Sequence, residues 1–241
     1  CKNHIHIIRR FFMLFNLSNS AFIVLGGLIG AFLTRGVPEK IKNSIIKAMG
    51  ICVIYIGISL AIEGDNVLLV VMSIAAGTLI GELLDIDDKI NKIGVRIQAK
   101  FSSDKKGKSK FAEGFVTTSI LFCAGAMGVV GALNVGLTGN GDTLVVKGMI
   151  DGVFAALFAT AFGFGVLFSS IPVFIYQAFF IALAGYLSKY LGPDVIASVS
   201  GVGGITVIGI GLNLTLNTDI KVANMAPGIF IPMILSLIGI I

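Results

Sequence analysis

Apolar runs long enough to cross a lipid bilayer recur along this 241-residue chain, and they constrain its fold more than any other feature. About 20 consecutive apolar residues in an α-helix cross a hydrocarbon core about 30 Å thick. A chain in lipid must satisfy its own backbone hydrogen bonds, so such runs form helices. They predict an all-α, polytopic membrane protein of about eight transmembrane helices, at residues 20–34, 45–62, 67–84, 112–136, 145–168, 172–190, 198–216 and 224–240.

The composition agrees with a lipid environment. Charged residues make up 13% of the chain and hydrophobic residues 56%, and the mean hydropathy is +0.98. A soluble domain carries about 25% charged residues, so this chain has too few to cover a surface exposed to water. The net charge of +5 would indicate nucleic-acid binding in a soluble protein. Here the basic residues lie mostly in short loops between spans, so we expect the bilayer, and no nucleic acid, as a partner.

The chain divides into four regions by composition. Residues 1–19 are interpreted as an N-terminal tail, and 20–84 as a membrane region of three helices. Residues 85–111 form the one long polar segment. Its first half has isoleucines at three- and four-residue spacing, which predicts an amphipathic helix at the membrane surface, and its second half reads as a basic linker. Residues 112–241 are predicted to hold helices four to eight.

Lysine and arginine counts predict the orientation of the bundle. With the loops after helices one, three and seven on one side, that side holds 13 of the 18 basic residues. The positive-inside rule makes this side cytoplasmic. The basic residues of the N-terminal tail, which are Lys2, Arg9 and Arg10, oppose this assignment but are fewer.

The sequence also contains an internal similarity. "GICVIYIGISLAI" (50–62) aligns with "GITVIGIGLNLTL" (204–216) at a constant offset, with two glycines of each segment in register. Upstream, "GAFLTRGVPEKI" (30–41) resembles "AGYLSKYLGPDVI" (184–196). The copies are five spans apart, so residues 184–241 are predicted to repeat 30–84 in the opposite orientation. Inverted repeats of this kind are typical of secondary transporters.

Two charged residues interrupt the predicted fifth span. Lys147 and Asp151 are one helical turn apart and share a helix face. Lys147 lies close enough to the helix end for its ammonium group to reach water, whereas Asp151 lies about 6 Å deeper. A carboxylate inside a span usually faces a partner or a hydrated cavity. Two interpretations stay open, a local ion pair that satisfies both groups and a functional polar site.

Other spans contribute candidate residues of two kinds. Polar side chains within apolar runs occur at Gln177, Asn213 and Asn224, and each could line a cavity or bond a neighbouring helix. The glycine cluster "SGVGG" (200–204) predicts a broken helix, because glycines destabilise a helix. The predicted substrate- or ion-binding residues are therefore Asp151, Lys147, Gln177, Asn213, Asn224, Gly203 and Gly204.

We predict no catalytic site, metal site or cofactor. "GNGD" (139–142) matches the signature of intramembrane aspartyl proteases, but it precedes the span and no second motif aspartate accompanies it. The chain lacks a phosphate-binding loop and the zinc-protease and hydrolase signatures. Cys123 and Met127 share a face and could bind a soft metal, but no third ligand is in sight.

Three segments carry a family resemblance: "SILFCAGAMGVVGAL", "LVVKGMIDGV" and "GVGGITVIGIGLNLTLNTDIKVANMAPG". They resemble the YdfK/YqgA-like family of prokaryotic integral membrane proteins, a domain-of-unknown-function family, over nearly the whole chain from about residue 20. The resemblance implies a multi-pass protein of the prokaryotic plasma membrane, and it implies no particular substrate.

Taken together, these features predict a transporter or channel for a small solute or ion, of the plasma membrane and built on inverted repeats. The alternative is a membrane scaffold or regulatory protein that transports nothing. We also expect a homo-oligomer, most simply a dimer, because symmetric association is common.

Overall fold

The computed structural model describes the backbone of residues 2–33, 38–101 and 110–241, and throughout these ranges it is built of helices joined by short turns. The predicted all-α class is therefore confirmed. The helices are α1 (Lys2–Leu33), α2 (Glu39–Ile62), α3 (Val67–Leu84), α4 (Ile86–Phe101), α5 (Lys110–Cys123), α6 (Ala126–Thr138), α7 (Asp142–Phe162), α8 (Gly165–Phe168), α9 (Ser170–Leu187), α10 (Pro193–Leu216), α11 (Val222–Met225) and α12 (Ile231–Leu237), with a 3-10 turn at Ala226–Phe230.

Within the described ranges, six segments are long and apolar enough to cross a membrane unaided, and a bent pair adds a seventh. The six are Leu14–Leu33, Asn43–Ile62, Val67–Leu84, Asp142–Phe162, Gly165–Leu187 and Pro193–Leu216. The pair consists of α5 and α6, which meet at 61°. The sequence predicted this span as one straight helix over 112–136, and the count of eight spans is corrected to six or seven.

The predicted eighth span is not a single continuous helix in the structure. Residues Val222–Leu237 form an apolar stretch below the length of the other spans. The 3-10 turn divides it, with Pro227 in the turn and Pro232 at the start of α12. Proline has no N–H to donate and opposes a continuous helix at such positions.

The first helix begins earlier than predicted. The backbone is helical from Lys2, so most of the segment interpreted as a tail belongs to α1, and Leu14 already lies in its span. Nothing between the tail and the span breaks a helix, since neither glycine nor proline occurs in residues 1–19.

A helix, α4, occurs where the amphipathic surface helix is predicted after the third span. Asp85 separates it from α3 by adopting a left-handed conformation, with φ 52°. The basic linker predicted for the second half of 85–111 lies, over residues 102–109, outside the described residues.

Close glycine contacts fix the direction of the helices. Gly26 of α1 lies against Gly152 of α7, and Gly30 lies against Ala156 four residues later in both helices. Because the two residue numbers rise together, α1 and α7 run parallel. Small residues here let the two backbones approach closely.

The bent pair crosses the whole bundle. Gly114 of α5 packs on Phe162, near the end of α7, whereas Gly131 of α6 packs on Leu144, near its beginning. The pair therefore runs antiparallel to α7 over its full length and is a broken span, not a loop that returns to its own side. With this span included, three spans lie between α1 and α7 along the chain. The two helices therefore run in the same direction, in agreement with their contacts.

The helix directions define two ends of the molecule. We call the end at which α1 finishes and α4 lies the basic end, since it carries Lys40, Lys47, Lys89, Lys92, Arg96, Lys110 and Lys221. The other is the opposite end, where α2 turns into α3 and α9 into α10.

Candidate functional site

The two charges of α7 lie deep in the molecule. Asp151 is about 14 Å along the helix axis from Asp142 and about 17 Å from Phe162, so it sits near the middle of the span. The side chains of Lys147 and Asp151 form an ion pair, and they are only 7% and 8% exposed. The ammonium group lies 5.9 Å from the centre of the Phe122 ring, at the limit of a cation–π interaction. The expectation that Lys147 reaches water is therefore wrong, because the lysine bonds inward to Asp151.

A break in the neighbouring span lies at the same depth. Helix α5 ends at Cys123 and α6 begins at Ala126. Phe122, one residue before the end of α5, and Gly128, in the first turn of α6, both lie beside the Lys147 side chain. A helix break leaves N–H and C=O groups without partners from their own helix. In a membrane such backbone is tolerated only where protein buries it or where it lines a hydrated cavity.

Gly128, in the first turn of α6, faces two important side chains. A Cβ atom at this position would lie 3.4 Å from Cε of Lys147 and 3.4 Å from Cε1 of Tyr176, a residue of α9. Helices α6, α7 and α9 therefore converge here, and the absence of a side chain at Gly128 leaves room for about one methyl group between the lysine and the tyrosine.

Buried polar groups without hydrogen-bond partners occur on α1 and α9, which contribute Asn19 and Tyr176 to this region. Among the described residues they include the Tyr176 hydroxyl, both side-chain polar atoms of Gln177 and Oδ1 of Asn16. The Asn19 amide lies beside the Asp151 carboxylate, yet neither of its polar atoms makes a hydrogen bond of good geometry. Each unsatisfied buried group costs about 1–3 kcal/mol. A bound ligand or water would supply hydrogen-bond partners for such groups.

The predicted candidates do not all meet here. Lys147 and Asp151 belong to this buried centre, and Gln177 is a buried residue next to Tyr176 in α9, but Asn213 and Asn224 lie at the basic end. Asn213 donates to the Ile220 carbonyl (2.8 Å) and accepts from its N–H (3.0 Å), so it shapes the turn after α10. Asn224 Oδ1 accepts a hydrogen bond from the Asp87 N–H (2.8 Å), which ties α11 to α4.

The glycine cluster of α10 has another role than predicted. Helix α10 is continuous from Pro193 to Leu216, so the break expected at "SGVGG" is wrong. A Cβ at Gly203 would overlap the Ala124 carbonyl, at the break between α5 and α6. A Cβ at Gly204 would overlap Ala61 of α2. These glycines allow close helix packing. Gly204 packs on α2 and Gly203 packs on the break between α5 and α6, and both contacts stabilise the continuous helix.

Sequence reasoning missed four contributors to the site. Asn19 lay in the segment interpreted as a tail, and Tyr176 is an ordinary residue for a span. The break itself, at Ala124 and Gly125, and the open position at Gly128 belong to "FCAGAMG" (122–128). Its two glycines lie three residues apart. Clustered glycines are the basis for predicting a helix break in α10, and the same criterion predicts a break in this segment.

Clefts open at both ends of the bundle. At the basic end, a cleft of about 250 Å³ lies between α5 and α10 and is lined by polar residues that include Glu113, Thr117, Asn213 and Lys221. At the opposite end, a second cleft is lined by residues that include Asp65, Asn66, Lys189, Asp194 and Ser198. Helix α10 lines both clefts, through Ser198 at one end and Asn213 at the other.

Comparison with known proteins places the chain in a family. A family profile described as "Protein of unknown function (DUF554)" matches residues 16–237. "Uncharacterized protein YqgA" of Escherichia coli (strain K12) is 32% identical over 220 residues, which cover 90% of this chain and 94% of that protein. "Uncharacterized membrane protein YdfK" of Bacillus subtilis (strain 168) is 27% identical over 218 residues, or 89% of this chain and 91% of that protein. No solved structure matches the chain. The resemblance found in the sequence is thus confirmed, and this polytopic helical membrane protein belongs to the DUF554 family.

Proposed function

We propose that this protein is a transporter for a small solute or ion, with its binding site at the break between α5 and α6. One observation carries the proposal: a buried ion pair in the middle of a span faces a broken neighbouring span. Discontinuous helices at mid-depth are the usual binding element of secondary transporters, since their free backbone groups can hold a ligand.

The free-energy cost of the buried polar groups supports a ligand-binding site over a purely structural core. A charge at the centre of a span costs roughly 2.5–3.5 kcal/mol on insertion scales. The unsatisfied groups of Asn19, Tyr176 and Gln177 add to that cost. An apolar core would avoid both the buried charges and the unsatisfied polar groups. Their presence is best explained by a ligand that binds to these groups.

Contacts between the two similar segments support the inverted repeat. Gly50 of α2 lies against Gly211 of α10, and Gly57 lies against Gly204. In the alignment of the segments, Gly50 corresponds to Gly204 and Gly57 to Gly211, so each glycine packs on the counterpart of the other. Two copies related by a two-fold axis in the membrane plane would pack in this way.

The positions of the clefts fit the same arrangement. The turn between α2 and α3, which contains Asp65, lines the cleft at the opposite end. Its counterpart at the constant offset is the turn after α10, which contains Asp219 and lines the cleft at the basic end. Related turns at opposite faces would let the two halves exchange roles as access alternates.

We further propose a homodimer in the plasma membrane, which the mass of the protein extracted in native nanodiscs would test.

Uptake of labelled solutes into proteoliposomes tests the function. A broad panel of small anions, cations and neutral solutes should yield at least one that enters only with the protein. The double variant Lys147→Met with Asp151→Asn removes both charges without leaving one unpaired, so it should fold but lose uptake.

A matched control is the exposed ion pair between Lys221 and Glu82, whose charged atoms lie 3.5 Å apart. Because Lys221 lines the cleft at the basic end, the double variant Lys221→Met with Glu82→Gln should slow uptake at most and not abolish it. A protein that moves nothing from the panel, or a Lys147 and Asp151 double variant with normal uptake, contradicts the proposal. A partner protein recovered by pull-down would then favour the scaffold function.

A further inference from the structure

The two charges of the buried pair face different neighbours. Asp151 points to the α1 side of the site, where the Asn19 amide lies beside its carboxylate. Lys147 extends toward α6 and α9, where its Cε approaches the open position at Gly128. The space on the α6 and α9 side is therefore bordered by the positive member of the pair.

Hydrogen-bond donors converge on that space. The ammonium group has three N–H donors, and the structure gives it one hydrogen bond, to Asp151. The Tyr176 ring borders the same side, and its hydroxyl, in a residue 9% exposed, has no partner among the described residues. The amino end of α6, a helix of 13 residues, adds backbone N–H groups and the positive end of the helix dipole.

This arrangement fits an anion better than a cation. Backbone N–H groups at a helix start, a lysine and a hydroxyl are the groups that hold carboxylates and phosphates in proteins. The structure already shows a carboxylate on Lys147, namely that of Asp151. A carboxylate on a small solute has the same charge and shape and could take its place.

Charge balance then requires a proton. A second carboxylate beside Lys147 and Asp151 would leave an uncompensated negative charge in a poorly solvated interior, which is strongly unfavourable. One proton added to an Asp151 carboxylate oxygen restores neutrality, because the anion and the proton enter together. The titratable groups that interact with Asp151 are Lys147 and Cys123, and Tyr176 lies next to Cys123.

We propose that the space around Gly128 binds a small carboxylate anion on Lys147, Tyr176 and the amino end of α6, with uptake of one proton by Asp151. In this exchange the hydrogen bond from Lys147 to Asp151 breaks and one from Lys147 to the anion forms. The proposal rests on the proposed transport function, since it names the substrate class of that same site.

Binding to the purified protein tests the site without measuring transport. Acetate, propionate and lactate are titrated against the protein in detergent, with chloride and methylammonium as the competing charge classes. We expect at least one carboxylate to bind and to raise the melting temperature, because a ligand of the folded state stabilises it. Calorimetry in buffers of different ionisation enthalpy should show uptake of one proton per bound anion.

The variant Gly128→Ala probes the site with little risk to the fold. Its Cβ would make ordinary contacts with Lys147 and Tyr176 while filling the space between them. Carboxylate affinity should fall by about tenfold or more, which corresponds to about 1.4 kcal/mol. The control Gly185→Ala lies in α9, where a Cβ meets nothing within 4 Å, and should leave the affinity unchanged.

The outcomes separate this inference from the proposed function. Binding of chloride or methylammonium alone, no binding of any carboxylate, equal effects of the two alanine variants, or binding without proton uptake would each overturn the inference. Transport of a cation would keep the proposed function and overturn the carboxylate site. Carboxylate binding in a protein that transports nothing would keep the site and overturn the function.

Discussion

At the scale of single residues, the site depends on where two charged side chains point. The sequence shows that Lys147 and Asp151 share a helix face, and the structure shows that they bond each other out of reach of water. A buried ion pair costs desolvation free energy, so it is weak evidence for stability, but removing one partner leaves the other charge uncompensated. The pair should therefore behave as a unit.

The stability of single and double variants tests this coupling. Asp151→Asn alone or Lys147→Met alone should lower the unfolding free energy by about 3–5 kcal/mol, since each strands a buried charge. The double variant should recover most of that loss. Equilibrium unfolding in mixed detergent micelles measures the three values. The exposed partners Glu82 and Lys221 serve as the control and should show little coupling. Additive losses for Lys147 and Asp151 would contradict the role of the pair.

At the residue scale, the sequence identifies unusual side chains by their chemistry but does not give their orientation. An ionisable or amide side chain in an apolar run is conspicuous, so Lys147, Asp151 and Gln177 could be named. The same criterion also selected Asn213 and Asn224, whose hydrogen bonds to Ile220 and Asp87 serve turns. Sequence gives the depth of a residue along a helix, but the facing helix decides its role. Asn19 and Tyr176 could be found only once α1 and α9 were placed.

At the scale of helices, glycine has two opposite effects in this protein. In α10, Gly203 and Gly204 permit close packing and the helix continues through them. Between α5 and α6, Gly125 adopts an extended backbone, with φ −90° and ψ 153°, and the helix stops. Both stretches are apolar and rich in glycine, so local composition cannot distinguish them. The distinction arises from packing. Gly203, in the continuous helix α10, packs directly on Ala124, at the break between α5 and α6.

Substitution of Gly203 tests whether this contact holds the break in place. Gly203→Ala improves helix propensity by about 1 kcal/mol, but its Cβ would overlap the Ala124 carbonyl. Overpacking of this kind typically costs about 1–3 kcal/mol, so the melting temperature and solute uptake should both fall. Gly185→Ala gains the same propensity without a clash and should be neutral or slightly stabilising. Equal melting temperatures for the two variants would show that the contact does not matter.

At the scale of the whole molecule, the proposed inverted repeat predicts which turns face opposite sides of the membrane. The contacts of α1 with α7, and of α5 and α6 with α7, give every span a direction. By these directions the turn between α2 and α3 and the turn after α10 lie at opposite ends. The two turns are counterparts in the repeat, so they should face opposite sides of the membrane. From the surplus of basic residues we further expect the turn after α10 to face the cytoplasm.

Single cysteines in these two turns test the arrangement in intact cells. In a background with the native cysteines replaced by alanine, Lys221→Cys marks the turn after α10 and Asp65→Cys marks the turn between α2 and α3. Both positions are exposed, so a maleimide reagent that cannot cross the membrane should reach each from one side only. It should label Asp65→Cys in intact cells and Lys221→Cys only after the cells are opened. Labelling of both from outside would refute the inverted repeat, because two related turns would then share a face. The reverse pattern would keep the repeat and overturn the orientation inferred from the basic residues.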